Sequence, residues 1–561
     1  MVTLRKMSVL GKKWVIKNTD KSKTTFEKIL SNRGMQEVEE LKDFHDPFLF
    51  SDMKHSAERI EKAVKDKERI IIFGDYDADG ITAAAILIHT LKKMGANLSY
   101  RLPNRVTDGY GLSGKFIDEF IEKNIKLVIT VDCGISCGKE IKKAKEAGID
   151  VIITDHHAIP SKEPESSYAI LHPKYKNSKY PFKELTGAGV ALKLAQALIY
   201  RNLTEEDKES FFFSLLDLAT IGTIADLGPL VDENKLIVKK GLEILENTKW
   251  HGLKKIKELT NIKDGDKIDP GKIGFQIAPR LNAAGRIGDP YDALHLLIKG
   301  EDNEKVTFLS KKLDDLNKTR QEMTDSAMEE AVKTFSVNDL PYIFISSHPK
   351  WHVGILGLIA GKLVEKYSRP AVILQDLGDV LVASARSTHN FNIVEALALC
   401  GDYLISFGGH AQAAGFSIKK ENLEKFTDKI SKHAEKQLSK CCLAQTLDID
   451  CELDPNEINF DLLEQIEKLK PFGVGSSRPS FVINDMQPFF VEKVGATGGH
   501  IKFSVRIGDR DFKVIGFKLG EFTDKVRSHK SIDVVFHIDR DNFRNRNDIQ
   551  LQALDLNLRQ E

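Results

Sequence analysis

Three short apolar runs, each followed by acidic residues, constrain the fold of this 561-residue chain more than any other feature. The runs are RIIIF, KLVITV and IDVIIT, and helical spacing such as that of TAAAILIHTLKKMG lies between them. Apolar strands that alternate with helices are typical of a parallel sheet that is covered on both faces. The pattern therefore predicts an α/β fold with a parallel sheet.

Acidic and imidazole side chains follow the carboxyl ends of all three predicted strands. Ligands of open α/β sheets bind outside the carboxyl ends of the strands, so we expect these side chains to converge on one crevice. A further acid follows the helical segment before a Gly-Pro turn, in IADLGPL. In chain order these residues are Asp75, Asp77 and Asp79 in GDYDADG, Asp132 in VDCG, Asp155, His156 and His157 in TDHH, and Asp226.

The crowding of carboxylates points to metal ions. Like charges at this spacing repel one another and raise each other's pKa unless a cation neutralises them. Ligation by Asp and His without Cys favours Mn²⁺ or Mg²⁺, and Mn²⁺ accepts imidazole more readily, while zinc stays an alternative. Five or more acids indicate two ions, and a pair about 4 Å apart supports in-line phosphoryl displacement. The alternative is that each aspartate caps a helix, which suits any one of them but not the whole set.

Composition limits the partners and the location. The 82 basic and 82 acidic residues balance, so a polyanion must be held by local patches rather than by a global field. No apolar stretch approaches the roughly 20 residues of a membrane span, and the N-terminus lacks a signal-peptide core. We therefore expect a cytoplasmic protein without a membrane partner. Six cysteines without CxxC spacing indicate reduced thiols, and Cys133 and Cys137 are expected simply to pack at a strand-to-helix junction.

The remaining chain predicts several further domains. The segment 301–336 has neither Gly nor Pro and predicts a connector helix about 50 Å long. A second, smaller α/β pattern follows, and β-rich runs such as HIKFSVRI then predict a C-terminal barrel of the OB type. The expected division is an N-terminal appendage at 1–55, a parallel-sheet domain at 56–300, the connector at 301–336, the smaller α/β domain at 337–440 and the OB-like domain at 441–561.

Four motifs in this order, GDYDADGITA, VDCG, DHH and IADLGPL, resemble those of the DHH phosphoesterase superfamily. Within it the chain is similar to the RecJ family of single-strand-specific exonucleases. Segments such as RLPNRVTDGYGL, IAPRLNAAGRI and FGGHAQAAGF carry this resemblance over nearly the whole chain. It implies DHH, DHHA1 and OB-like domains. It also implies 5′-to-3′ hydrolysis of single-stranded DNA to mononucleotides by a two-metal mechanism with Mn²⁺ or Mg²⁺, in DNA repair and recombination.

The resemblance also implies roles for individual residues. Asp132 is the expected bridging ligand and, with His157 and Asp155, forms the expected catalytic group. Two readings stay open: Asp155 can orient a neighbour, and His157 can contact substrate instead of metal. The expected metal ligands are Asp75, Asp77, Asp79, Asp132, His156 and Asp226.

Recognition of a strand end requires groups that hold phosphate, and Arg does so with two parallel hydrogen bonds. For each Arg the alternative is a salt bridge, and for each His it is a local hydrogen bond. Aromatic residues of the barrel, Phe503, Phe512 and Phe517, either stack bases or form the core. The expected substrate-binding residues are Arg105, Arg280, Asn282, His352, Ser384, Arg386 and His410.

Three other functions compete with this one. A DHH phosphodiesterase for oligoribonucleotides or cyclic dinucleotides, or a DHH-type pyrophosphatase, is expected to be shorter and to lack the barrel. A non-catalytic DNA-binding replication scaffold is expected to have lost ligand residues, whereas every expected ligand position is filled here. By resemblance, we expect single-stranded DNA, single-strand-binding protein and a helicase as partners of a monomer.

Overall fold

The computed structural model describes residues 3–38, 40–300, 303–336, 339–440, 443–508, 510–541 and 548–559, with the backbone alone for 3–7. The chain begins with two paired antiparallel strands and a short helix, which reaches Glu457 through the hydroxyl of its buried Thr25. These elements are β1 (Thr3–Met7), β2 (Lys13–Asn18) and α1 (Thr25–Asn32), followed by a 3₁₀ turn at Pro47–Leu49.

A five-stranded, entirely parallel sheet forms next, in the order β4-β3-β5-β6-β7, as the apolar runs predict. Alternate residues of one strand enter two different cores: Ile70 and Ile72 face one, and Ile71 and Phe73 the other. Both faces are therefore covered, which explains why the strands are apolar throughout. The elements are α2 (Met53–Lys65), β3 (Arg69–Gly74), α3 (Ala78–Lys93), β4 (Asn97–Arg101), α4 (Gly114–Glu122), β5 (Leu127–Val131), α5 (Gly138–Glu146), β6 (Asp150–Thr154) and β7 (Ala169–Leu171).

A helical layer packs on the α3 face of this sheet and shares its largest hydrophobic core. One continuous helical stretch, residues 270–287, contains a π-helical turn at Ile273–Ile277. Cys133 and Cys137 are free and buried in the opposite core, as expected. The helices are α6 (Gly187–Asn202), α7 (Glu205–Phe213), α8 (Leu216–Ala225), α9 (Asp232–Glu246), α10 (His251–Leu259), α11 (Pro270–Lys272), α12 (Ala278–Ile287) and α13 (Pro290–Ile298).

The expected connector is a 30-residue helix, α14 (Asn303–Val332), and a second five-stranded sheet follows it in the order β11-β12-β10-β9-β8. The neighbours β8 and β9 are parallel, whereas the other pairs are antiparallel. The elements are β8 (Phe344–His348), α15 (Val353–Tyr367), β9 (Ala371–Asp376), β10 (Val380–Arg386), α16 (Ile393–Leu399), β11 (Leu404–His410), β12 (Ala413–Lys419) and α17 (Leu423–Leu438).

The C-terminal residues form a nine-stranded sheet with the two N-terminal strands, in the order β1-β2-β13-β14-β18-β19-β17-β16-β15. Pairing of β1 with β15 is not among the described strand pairs, so closure of a barrel stays a prediction. Phe503 and Phe512 lie in the core, whereas Phe517 is 53% exposed. The elements are β13 (Thr446–Glu452), α18 (Phe460–Glu467), β14 (Phe481–Met486), β15 (Pro488–Val494), β16 (His500–Ile507), β17 (Arg510–Gly516), α19 (Thr523–Ser528), β18 (Ile532–Asp541) and β19 (Asp548–Leu558).

The limits of the five predicted domains stay predictions, although the pairing of β2 with β13 joins part of the expected N-terminal appendage to the C-terminal sheet. Within the described ranges, none of the helices has the length and apolar character needed to cross a membrane.

Candidate metal centre

The carboxyl ends of three parallel strands deliver the acidic residues to one edge of the first sheet. Asp75 follows β3, Asp132 follows β5 and Asp155 follows β6 directly. Asp132 has a φ of +58°, a left-handed conformation that is uncommon outside glycine and is concentrated at functional sites. Asp226 reaches the same place from the C-terminal end of α8.

His156 lies at the centre of the cluster. Its Nε2 atom is 3.1 Å from Oδ1 of Asp132, 3.7 Å from Oδ2 of Asp226 and 4.0 Å from Oδ2 of Asp79. Burial and then the neighbouring His157 lower the pKa of His156 to about 3. The imidazole is therefore neutral near pH 7, which is the form that binds metals.

Three sets of possible ligands have their donor atoms within 4.8 Å of one another. Asp132 belongs to two of them, and His156 also belongs to two, so the sets are contiguous. The bridging role of Asp132 stays a prediction, for which two of the three sets supply this residue. The sets are Asp75, Asp77 and Asp132; Asp79, His156 and Asp226; and Asp132, His156 and His157.

The donor atoms fit a divalent cation. Buried Oδ1 of Asp75, Oδ1 of Asp132 and Nε2 of His156 have no hydrogen-bond partner among the described residues. Buried polar atoms are nearly always satisfied, so three orphans in one place require an explanation, and a metal ion supplies it. The oxygen-rich set with one or two imidazoles and no thiolate suits Mn²⁺ or Mg²⁺.

The same crowding raises the pKa values of the acids. Burial and then Asp77 raise the pKa of Asp75 to about 8 and that of Asp79 to about 7. Burial and then Asp79 raise the pKa of Asp226 to about 8, and the same causes raise that of Asp132. Four carboxyl groups therefore hold protons more tightly than usual, which is the condition that a bound cation reverses.

Helix N-termini position two of the acids. Asp79 accepts hydrogen bonds from the backbone of Gly187 at 2.7 Å and Ala188 at 2.9 Å, at the start of α6. Asp77 caps α3 through Gly80 N–H, at 3.0 Å, so the helix-cap alternative holds for this residue. It does not hold for the set, because the remaining acids meet one another rather than helix starts.

Asp155 orients His157. The buried carboxylate accepts backbone hydrogen bonds from Ile135, His156 and His157, and it lies 2.8 Å from Nδ1 of His157. Burial opposes the charges of this pair, yet their hydrogen bond lowers the pKa of Asp155 to about 2 and raises that of His157 to about 9. The structure therefore favours the orienting role for Asp155, while Nδ1 of His157 stays 3.9 Å from Asp132.

A cluster of arginines lies beside the acids. Burial and then Arg105 lower the pKa of Arg286 to about 10, and Arg320 and Arg386 act in the same direction. The guanidinium of Arg105 packs 4.0 Å from the ring centroid of Tyr76, which stands between two of the acidic residues. Arg105, Arg286 and Arg386 are half-buried, and like charges repel one another, so an anion bound between them would stabilise the group. We call Arg105, Arg286 and Arg386 the arginine cluster.

Arg280 lies outside the arginine cluster. Its Nη2 is 2.7 Å from Oδ1 of Asp314 on the connector helix, and its other contacts also lie within this helical layer. Arg280 therefore makes the salt bridge of the alternative interpretation, whereas Arg286, six residues later, lies beside Arg105. A substrate-binding role for Arg280 stays a prediction. Arg286 was not among the residues predicted from the sequence, because the segment IAPRLNAAGRI contains two arginines and no signal that chooses between them.

The other predicted substrate residues divide between the site and local structure. Ser384 accepts a hydrogen bond from Arg386 at 3.2 Å, so it belongs with the arginine cluster. Asn282 accepts from Ala78 N–H at 2.9 Å, at the start of α3. His352 caps α15 through Gly354 N–H at 3.0 Å, which is the local role. His410 is exposed at the end of β11.

Comparison with known proteins gives matches over most of the chain. Three family models match the chain: the DHH family N-terminal domain at 69–223, the DHHA1 domain at 339–436 and the RecJ OB domain at 449–555. The single-stranded-DNA-specific exonuclease RecJ of Bacillus subtilis is 38% identical over 91% of this chain, which spans 64% of that relative's length. The protein of the same name from Dickeya dadantii is 31% identical, with 92% of this chain and 93% of the relative covered.

Solved structures give the same result. RecJ from Thermus thermophilus in complex with Mn²⁺ superimposes with a TM-score of 0.81 and 27% identity, covering 96% of this chain and 76% of the other. The same protein in complex with Mg²⁺ superimposes with a TM-score of 0.75 and 25% identity, covering 96% of this chain and 75% of the other. The order of motifs, the three family domains and these similarities over most of the chain lead to one conclusion: the chain belongs to the RecJ family of the DHH phosphoesterases.

Proposed function

We propose that this chain is a metal-dependent, single-stranded-DNA-specific exonuclease that removes mononucleotides from the 5′ end. One observation carries the proposal: the acidic cluster, which comprises Asp75, Asp77, Asp79, Asp132 and Asp226, is adjacent to the arginine cluster. Arg105 stacks on Tyr76, which lies between Asp75 and Asp77 in the chain. The charge of Asp77 also favours the charged form of Arg286 and raises its pKa, against the effect of burial. A cation site and an anion site side by side suit hydrolysis next to a bound phosphate.

The arginine cluster supports attack at a strand end, and at the 5′ end in particular. A terminal phosphate carries more negative charge than a phosphodiester, and convergent guanidinium groups favour it. DNA strands ordinarily carry a terminal phosphate at the 5′ end and a hydroxyl at the 3′ end. A terminal phosphate in the arginine cluster and the next phosphate at the acids define a product of one nucleotide.

The acidic cluster supports metal-dependent chemistry. Two divalent cations, when bound, activate water and stabilise the leaving oxygen in an in-line phosphoryl displacement. Mn²⁺ or Mg²⁺ is the proposed cofactor because the donors fit either ion and the Thermus thermophilus relative was solved with each. The proposed ligands are Asp75, Asp77, Asp79, Asp132, His156 and Asp226, with His157 held by Asp155 beside them.

Single-strand specificity rests on the relatives, whose shared name includes it. The expected single-strand-binding protein and helicase partners, the monomeric state, the cytoplasmic location and the roles in repair and recombination rest on the family resemblance. The scaffold alternative is not favoured, because the ligand residues are both present and gathered within contact distance of one another.

The test is digestion of single-stranded DNA that is labelled at either the 5′ or the 3′ end, with Mn²⁺, Mg²⁺ or EDTA. Duplex DNA, short RNA and cyclic dinucleotides serve as competing substrates. We expect early release of the 5′ label as a mononucleotide, only with metal and only from the single strand. Cleavage of short RNA or cyclic dinucleotides alone would favour a phosphodiesterase, and binding without cleavage would favour a scaffold.

A further inference from the structure

A loop at residues 102–113 brings a tyrosine to the metal centre. The hydroxyl of Tyr110 lies 3.3 Å from Nδ1 of His157, and it donates to the backbone carbonyl of Asp132 at 3.4 Å. The two rings meet edge to face with their centroids 5.7 Å apart. Tyr110 therefore touches two of the residues that the metal centre requires.

The loop is built to present this side chain. Gly109 and Gly111 on either side of Tyr110 have φ of 77° and 79°, a conformation that other residues rarely adopt. Asn104 and Asp108 close the preceding turn through two hydrogen bonds of 2.8 and 2.9 Å. The position of Tyr110 is thus fixed by the turn on one side and by its hydroxyl contacts on the other.

The ring of Tyr110 is nonetheless open to solvent, since the residue is 48% exposed. Its polar tip is engaged inside the centre, so the exposed part is mainly the aromatic body. A tyrosine that buries its hydroxyl and exposes its ring presents an apolar surface with one fixed orientation. Such a surface is suited to pack against a planar partner, and nucleobases are the planar groups of the proposed substrate.

The same loop carries Arg105 of the arginine cluster, whose Nε donates to the carbonyl of Gly285 at 3.2 Å. One loop therefore contributes a proposed phosphate ligand and, five residues later, an exposed ring at the acids. A nucleotide whose 5′ phosphate lies in the arginine cluster and whose 3′ phosphate lies at the acids has its base between these two contributions.

We propose that Tyr110 is the packing surface for the base of the 5′-terminal nucleotide and that its hydroxyl contacts to His157 and Asp132 position this surface. The inference rests on the proposed function. It adds one contribution to recognition of the strand end: the face of the terminal base contributes to binding, whichever base it is.

The experiment compares two 5′-phosphorylated single strands that differ only at the first nucleotide, which carries either thymine or an abasic tetrahydrofuran residue. The ratio of their kcat/KM values for release of the first nucleotide is measured with Mn²⁺. We expect the parent to prefer the base-bearing end by about tenfold, the size of one base–aromatic stacking contact. Tyr110→Phe keeps the ring but loses the hydroxyl contacts that position it, so its ratio should lie between that of the parent and one, whereas Tyr110→Leu should bring the ratio close to one.

Val106→Ala is the matched control, since Val106 is exposed in the same loop and has no role in the proposal. The ratio is taken within each variant, so a loss of folded protein cancels. A parent that shows no preference, or a Tyr110→Leu variant that keeps it, overturns the inference. Failure of the parent to release a 5′ nucleotide from either strand would instead overturn the proposed function.

Discussion

The Nε2 atom of His156 lies 3.1 Å from Oδ1 of Asp132, and neither atom has a hydrogen-bond partner among the described residues. One residue follows the end of β5, and the other lies one position beyond the acid that follows β6. A neutral imidazole nitrogen and a buried carboxylate oxygen do not satisfy each other unless a proton or a cation lies between them. Each of the two residues belongs to two of the three possible ligand sets, so this contact links the sets.

We expect Asp132→Asn to lower kcat by more than about a hundredfold, because even groups that only support metal ligands typically change activity by 10–100-fold. The substitution keeps the size of the side chain and removes its charge, so folding should be retained. The rate is measured on single-stranded DNA with Mn²⁺, and calorimetry reports the number of bound ions. Asp118→Asn, at an exposed pair with Lys143, should act like the parent. An Asp132→Asn variant as fast as the parent would exclude this metal assignment.

We expect Arg286→Met to remove the preference for a 5′ phosphate, whereas Arg280→Met should keep it. Arg286 is half-buried beside other arginines, while Arg280 is paired with Asp314. Hydrogen bonds to charged groups contribute about 1.5–3 kcal/mol, so KM for the 5′-phosphorylated strand should rise about tenfold or more. The measurement compares KM for strands with a 5′ phosphate and a 5′ hydroxyl. If Arg280→Met removed the preference and Arg286→Met kept it, Arg280 would be the phosphate-binding residue, as predicted from the sequence.

We expect the metal-free protein to lose stability as pH rises from about 4 to about 8. The folded-state pKa of Asp75 is raised to about 8, above the roughly 3.9 of an unfolded aspartate. An acid whose pKa is raised in the folded state stabilises the fold fully at pH values below its pKa in the unfolded state. This contribution disappears as pH rises through the pKa of the folded state. In EDTA, Tm should therefore fall more steeply with pH in the parent than in Asp75→Asn. Added Mn²⁺ should raise Tm more at pH 8.5 than at pH 6. Equal slopes in the two proteins would contradict the raised pKa.

We expect Gly187→Ala to lower activity by displacing Asp132. A Cβ at this position would lie 2.5 Å from the Cβ, Cγ and Oδ1 atoms of Asp132, closer than real contacts allow. Overpacking of this kind typically costs about 1–3 kcal/mol of folding free energy. Gly361→Ala is the control, because no atom lies within 4 Å of its added Cβ and alanine favours a helix. Thermal melting and the rate on single-stranded DNA separate the two variants, and a fully active Gly187→Ala would show that Asp132 can shift freely.

The sequence by itself determined the first sheet and the set of acids. Alternation of apolar strands with helices is a local pattern. Neighbouring parallel strands must be joined by a crossover connection, which is usually a helix, so this pattern predicts a parallel sheet. All carboxyl ends of such a sheet lie at one edge, so residues from Asp75 to Asp155 meet there regardless of how the helices pack. The absence of Gly and Pro from 301–336 likewise predicts α14, which spans Asn303–Val332.

Only the tertiary structure decided which of two arginines faces the acids and what the exposed aromatic residues can touch. Arg280 and Arg286 are six residues apart, or about 240° around an ideal helix, so at most one of them can face a given neighbour. Helix rotation is set by packing, here at a place where a Cβ on Gly354 of α15 would overlap the backbone of Arg286. Tyr110 owes its position to a glycine-flanked loop and to long-range contacts with His157. Neither arrangement has a periodic signal in the sequence, because both depend on contacts between residues that are distant along the chain.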